Sequence, residues 1–236
     1  MLRALKSLYR LFIPAVCPVC GSILEAEEGV ACLKCMLQAP YTYLWERQDN
    51  PMELRLRCHI PVVRAASMLW FREHSLWRGV IHDFKYHSQW YAAEQMGRLC
   101  ALKLKDADFF GDVDLIVPVP LHPYRRLVRG YNQSEHIAAG ISAAAKVPCC
   151  FNAVRRLRNN PPQVGQNYTS RWANIDKIFA VSRPEALVGK HIVIVDDVFT
   201  TGATIIALAQ AILLSCNGNV RISVVTLSVS ERIAES

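Results

Sequence analysis

The rhythm of apolar and polar positions changes once along this chain, near Asp114. Before that point, residues 61–71 (PVVRAASMLWF) form a mostly apolar run that predicts a strand or one arm of a hairpin. Residues 75–86 (SLWRGVIHDFKY) and 90–106 (WYAAEQMGRLCALKLKD) repeat apolar side chains at three- and four-residue spacing, the period of a half-buried helix. After Asp114 short continuous apolar runs alternate with helical patterns. DLIVPVP is such a run closed by prolines, and HIVIVDD is the strongest strand signal in the chain. VRISVVTLSV is a further strand and CCFNAVRR a weaker one. Between them, NQSEHIAAGISAAAK predicts a helix capped by Asn or Ser, and ATIIALAQAILLSCNG a helix stopped at Gly218. Continuous apolar strands alternating with helices predict a mostly parallel sheet with helices on both faces, an α/β fold. Ligands of such sheets sit beyond the carboxyl ends of the strands. That directs attention to the loops after Val119, after Arg155 and after Val195.

The first forty residues behave differently. They carry little periodicity and are punctuated by cysteines. Within the extreme N-terminus, Leu5, Leu8, Leu11 and Phe12 fall at helical spacing, while Arg3, Lys6 and Arg10 interrupt any export-signal core. A short amphipathic helix docking on the protein is the expectation there. The connector YTYLWERQDNPMELRL follows, and a boundary near residue 55 separates the expected N-terminal module (1–55) from the α/β domain (56–236). No apolar run reaches the roughly 18 residues of a membrane span.

Composition refines this outline. The chain has 236 residues, 52% apolar and 20% charged, which fits a folded domain plus a small accessory module and excludes a disordered chain. A net charge of +7 favours anionic partners but is also common among ordinary basic proteins. The nine cysteines are an odd number, and four of them form Cys17-x-x-Cys20 and Cys32-x-x-Cys35. Two such knuckles wrap four thiolates around one tetrahedral zinc ion, and a redox pair or disulfides are the alternatives. This usage points to a reducing compartment, the cytoplasm. Cys58, Cys100, Cys149, Cys150 and Cys216 read as small core residues. His122 reads as a bystander in its loop.

The chemistry concentrates in HIVIVDDVFTTGAT, His191 to Thr204. A buried strand over Ile192 to Val195 delivers Asp196 and Asp197 to its carboxyl end. Two adjacent carboxylates there repel each other and resist desolvation, a cost that a ribose 2′,3′-diol offsets by donating two hydroxyls. Thr200, Thr201, Gly202, Ala203 and Thr204 then turn the chain into a helix. Gly202 permits close approach of a phosphate, and the helix N-terminus supplies a positive dipole end. Diol reader and phosphate cradle together fit a ribose 5-phosphate. Two basic loops are expected to flank it. One carries Arg125, Arg126 and Arg129 before Gly130. The other, residues 155–171, carries Arg155, Arg156, Arg158 and Arg171 and has the length of a lid. Trp70, Trp77, Trp90 and Trp172 are either core residues or stacking platforms for a nucleic-acid strand.

The His191 to Thr204 segment resembles the phosphoribosyl pyrophosphate (PRPP) signature of type I phosphoribosyltransferases. The resemblance widens when the two CxxC pairs, Phe84-Lys85-Tyr86, Pro118-Val119-Pro120, Arg129-Gly130-Tyr131-Asn132-Gln133, Pro162-Gln163, Arg171 and Asn174 are added. In this order they resemble the ComF family of bacterial competence and DNA-utilisation proteins, from about Cys17 to Val229. The pair Gly165-Gln166 departs from the Gly-Leu that members often carry. The resemblance implies a type I phosphoribosyltransferase fold with a small zinc-binding N-terminal module, PRPP as ligand with magnesium, and a link to DNA uptake or use. Its enzymatic form transfers or hydrolyses a phosphoribosyl group. Its alternatives are a module that binds single-stranded DNA and keeps the pocket as a sensor or scaffold, and a regulator that meets competence or DNA-processing proteins through its zinc module. No feature of the chain identifies an acceptor base.

Overall fold

The computed structural model describes residues 16–25, 29–73, 75–83, 90–158 and 178–233. Its elements in chain order are α1 (Leu33–Leu37), α2 (Pro51–Arg57), β1 (Val62–Phe71), α3 (Leu76–Asp83), α4 (Trp90–Lys105), β2 (Leu115–Pro118), α5 (Pro123–Arg129), α6 (Gln133–Ala145), β3 (Val154–Arg156), β4 (Phe179–Val181), β5 (His191–Phe199), α7 (Ala203–Ser215) and β6 (Arg221–Ser230). Four strands form one sheet in the order β1-β6-β5-β2, and every pairing in it is parallel. Ile192 to Val195 are wholly buried because helices cover both faces. One face packs Val193, Val195, Val225 and Met68 against α3, α4 and α6. The other packs Ile192, Ile194 and Val224 against α2 and α7. This is the type I phosphoribosyltransferase arrangement that the sequence predicts.

Residues 61–71, a strand or one arm of a hairpin by sequence, form a strand of the main sheet parallel to β6, while one strand signal differs from its outcome. CCFNAVRR splits: only Cys149 bridges Ile116, while Val154–Arg156 pairs antiparallel with β4 in a separate ribbon. β2 explains the split. It is four residues long and ends at Pro118, and Pro120 follows, so little of its edge can carry a ladder.

Two helices replace expected loops. Asn50 caps α2 by accepting from the backbone of Met52 and Glu53, with Pro51 in the first turn, so the connector contains a helix that runs across residue 55. His122 caps α5 in the same way through Tyr124 N–H, and Gly130 ends it in the left-handed conformation (φ 83°). The expected amphipathic helix over residues 5–12 and most of the proposed lid lie outside the described residues.

The tightest contact between helices joins α4 to α6. A Cβ at Gly140 would lie 2.0 Å from the carbonyl oxygen of Glu94, and one at Gly97 would lie 2.1 Å from that of Ile137. Each helix therefore meets the other backbone to backbone, with no room for a side chain at either glycine. Gly140→Ala should cost about 1–3 kcal/mol in urea denaturation, because backbone must shift to admit the methyl group. Gly79→Ala on α3, where nothing lies within 4 Å, should be neutral or stabilising by up to about 1 kcal/mol.

Candidate functional site

The end of β5 builds the site. β2 pairs with β5 only as far as Val195, whereas β6 pairs with it to Phe199. Asp196 and Asp197 are therefore inside the strand on the β6 side and beyond the sheet on the β2 side. The strand runs four residues further than the apolar signal alone marks. Asp196 Oδ1 accepts from the buried Ser134 hydroxyl at 2.8 Å and from Asp197 N–H at 3.0 Å. Asp197 Oδ1 accepts from Val198 N–H at 2.8 Å.

Ser134 is a residue that the sequence reading missed. It sits in the first turn of α6, where Asn132 accepts from its backbone N–H at 3.2 Å and donates to Val119 O at 3.0 Å. Asn132 thus ties the start of α6 to the end of β2. The readable signal was its place just after Arg129-Gly130-Tyr131-Asn132-Gln133, in the loop that follows a parallel strand.

Asp196 and the residues from Val198 to Ile205 line one small hollow, which includes Thr200, Thr201, Gly202, Ala203 and Thr204. Gly202 is the N-cap of α7 at φ 79°, and a Cβ there would lie 2.6 Å from Phe199 Cζ. Only glycine fits both the dihedral and the space. α7 has no side-chain cap from Gly202 and no acidic residue in its first turn, so its dipole end is left to attract an anion. Thr201 Oγ1 accepts from Ala203 N–H at 3.4 Å.

The arginines divide. Arg125, Arg126 and Arg129 lie on α5 rather than in an open loop. Arg126 is held by Glu135 at 3.0 Å and none of the three lines the hollow. Arg156, on β3, comes within electrostatic reach of both Arg125 and Asp196: burial pushes its guanidinium below the usual range, Arg125 adds to this and Asp196 opposes it. Arg155 donates to Ser182 Oγ at 2.9 Å. Arg171 lies outside the described residues. Of the tryptophans, Trp77 is buried and Trp70 half-buried as core residues, Trp90 is exposed beside Tyr91 and His136, and Trp172 is outside the described residues.

The four N-terminal cysteines form a second site. The sulfurs of Cys17, Cys20, Cys32 and Cys35 all lie within 4.8 Å of one another, and Cys20 Sγ is 3.7 Å from Cys32 Sγ. A tetrahedral ion with sulfur bonds near 2.3 Å separates its ligands by about 3.8 Å, so the cluster has the geometry to hold a metal ion such as zinc. The Ser22 hydroxyl and backbone pull the Cys20 thiol down to about 6, and burial raises Cys35. Cys17, Val19 and Ala31 pack into the same core as Met68 and Trp77. The stretch before β1 also adds an antiparallel pairing to it, with Tyr41 opposite Leu69 and Thr42 N–H donating to Met68 O at 3.1 Å.

Comparison with known proteins finds one domain family and several relatives similar to this chain. The phosphoribosyl transferase domain family matches residues 129–235. Competence protein F of Haemophilus influenzae is 33% identical over 131 residues, 53% of this chain and 57% of that one. The chain thus spans little more than half of that relative. DNA utilization protein YhgH of Escherichia coli K12 is 28% identical over 84% of both chains. Among solved structures, the glutamine PRPP amidotransferase of B. subtilis complexed with ADP and GMP aligns with a TM-score of 0.44 at 15% identity. That alignment covers 62% of this chain and 30% of the other. No helix among the described residues is long and apolar enough to cross a membrane.

Proposed function

We propose that this ComF-family homologue, which carries a phosphoribosyl transferase domain, binds PRPP or a related ribose 5-phosphate at the carboxyl end of β5. One observation carries the reading: Asp196 and the Thr200 to Thr204 turn share a single hollow at the start of α7, where Gly202 supplies no side-chain cap. The 5-phosphate takes the turn and the helix end. The ribose diol donates to Asp196 and Asp197, and Ser134 fixes the orientation of the first carboxylate. Arg156 is within electrostatic reach of Asp196 and of Arg125, and together with Arg126 and Arg129 on the helix of Arg125 they are the cations proposed for a pyrophosphate leaving group. The carboxylates are hard oxygen donors, suited to a ligand that carries magnesium on its own phosphate and hydroxyl oxygens. When pentosyl transfer occurs, the bond from C1 to pyrophosphate breaks and positive charge builds on the sugar. Asp196 and Asp197 offset that charge and the arginines stabilise the departing anion. The N-terminal module, residues 1–55, holds a structural zinc ion, and its described cysteine knuckles share a core with the domain over residues 56–236. Nine free cysteines suit the reducing cytoplasm.

A second reading is binding of single-stranded DNA. The exposed face of α5 favours it: Tyr124, Leu127 and Val128 are solvent-facing between Arg125, Arg126 and Arg129. Such a surface suits bases and phosphates together, and the relatives' names place them in competence and DNA utilisation.

One experiment separates the two readings. Asp196→Asn with Asp197→Asn should abolish calorimetric PRPP binding in a protein of unchanged thermal midpoint, since each charged hydrogen bond lost is worth about 1.5–3 kcal/mol. Unchanged PRPP affinity in the folded double variant would sink the assignment. Single-stranded DNA retained by that variant, with an affinity that falls steeply with salt, supports the second reading beside the first. For the module, purified protein should carry about one zinc per chain, and Cys17→Ser with Cys32→Ser should remove it. Stoichiometric zinc in that variant by plasma emission would rule the four-thiolate site out.

A further inference from the structure

The turn proposed to cradle the phosphate is held from outside by a residue that belongs to neither the signature nor the basic loops. Arg55 lies on α2, in the stretch that reads as a connector, and its Nε–H donates to the carbonyl oxygen of Thr201 at 3.3 Å. The helix that presents it is well fixed. Asn50 caps α2 and donates to Ala65 O at 2.9 Å, and the buried Glu53 accepts from Ala65 N–H at 3.0 Å. Arg57, two residues on, is held by Asp49 and Glu53. Arg55 makes no ion pair with a carboxylate among the described residues, and its hydrogen bond goes to the Thr201 carbonyl.

The peptide from Thr201 to Gly202 is trans, as are all described peptides. In a trans peptide the carbonyl and the following N–H point in opposite directions. A guanidinium that holds the Thr201 carbonyl outward therefore turns the Gly202 N–H away from itself. Arg55 does not line the hollow, whereas Thr201 and Gly202 do. We infer that Arg55 is a positioning residue for the phosphate-binding turn: it orients the Thr201–Gly202 peptide so that the amide faces the ligand. It also places a positive charge behind the cradle that favours a dianionic phosphate monoester. This rests on the ribose 5-phosphate reading and adds the N-terminal connector to the site.

Ribose 5-phosphate titrated calorimetrically into the full-length chain between pH 5.5 and 7.5 tests it. A phosphate monoester takes its second charge near pH 6, so affinity for the unmodified chain should rise across this window. Arg55→Gln should bind about tenfold more weakly at pH 7.5, the scale of one charged hydrogen bond, and should show a flatter rise. Arg55→Lys keeps the charge and should keep most of the rise. A purely structural arginine would change the thermal midpoint and leave the pH slope alone. If the unmodified chain binds and Arg55→Gln matches it in affinity and slope, the role of Arg55 is overturned while the ribose 5-phosphate site stands. If the unmodified chain does not bind ribose 5-phosphate, both fall.

Discussion

The 2.8 Å hydrogen bond from the Ser134 hydroxyl to Asp196 joins the two halves of the α/β domain at the place where the ligand is proposed to sit. On one side is β5, whose buried Ile192 to Val195 cannot shift without exposing the centre of the sheet. On the other is α6, pinned to α4 by the reciprocal approach of Gly97 and Gly140 and to β2 by Asn132. A carboxylate at a strand end is normally free to rotate. Here one of its oxygens is committed to a buried donor on a helix packed backbone to backbone against α4. The orientation of Asp196 is thus a property of the packed core, and a site built this way is preorganised before any ligand arrives.

The opposite end of the same strand is secured differently. His191 Nε2 lies 2.9 Å from Ser223 Oγ, and its backbone N–H donates to Asp114 Oδ2 at 2.8 Å. Arg221 and His191 together outweigh burial and hold the Asp112 carboxyl below its ordinary range. Polar groups close β5 at both ends, and an apolar run fills its middle. The N-terminal module contributes to the same frame. Its cysteine knuckles pack under β1, its residues 40–42 lengthen the sheet edge, and α2 reaches across to the turn before α7.

Much of this is legible in the sequence because two of its signals are local. The period of apolar residues reports directly on which faces are covered, so the helices over 90–105, 133–145 and 203–215, the strands over 115–118 and 221–230 and the first half of the strand over 191–199 follow from it. Asp196 and the Thr-Thr-Gly turn are close in the chain, so their shared hollow follows once the strand is placed. Other features depend on pairs far apart in the chain. Ser134 meets Asp196 across 62 positions and Arg55 meets Thr201 across 146. No local pattern marks either. The two short helices were hidden for another reason. α2 and α5 are seven residues each, too short for periodicity, and both begin with a cap and a proline that also read as a turn. Arg125, Arg126 and Arg129 therefore sit on a helix that periodicity does not mark, and Arg126 is paired with Glu135.

The central claim is that strand end, turn and α6 act as one preformed ribose-phosphate site. Amide hydrogen exchange of the unmodified protein, followed with and without PRPP and magnesium, tests it most directly. The account predicts added protection at two separated stretches at once, residues 196–206 and residues 132–137, with β6 and the middle of α4 unchanged. Protection confined to the arginine-bearing α5, or exchange unaltered by saturating PRPP across residues 196–206, would contradict it.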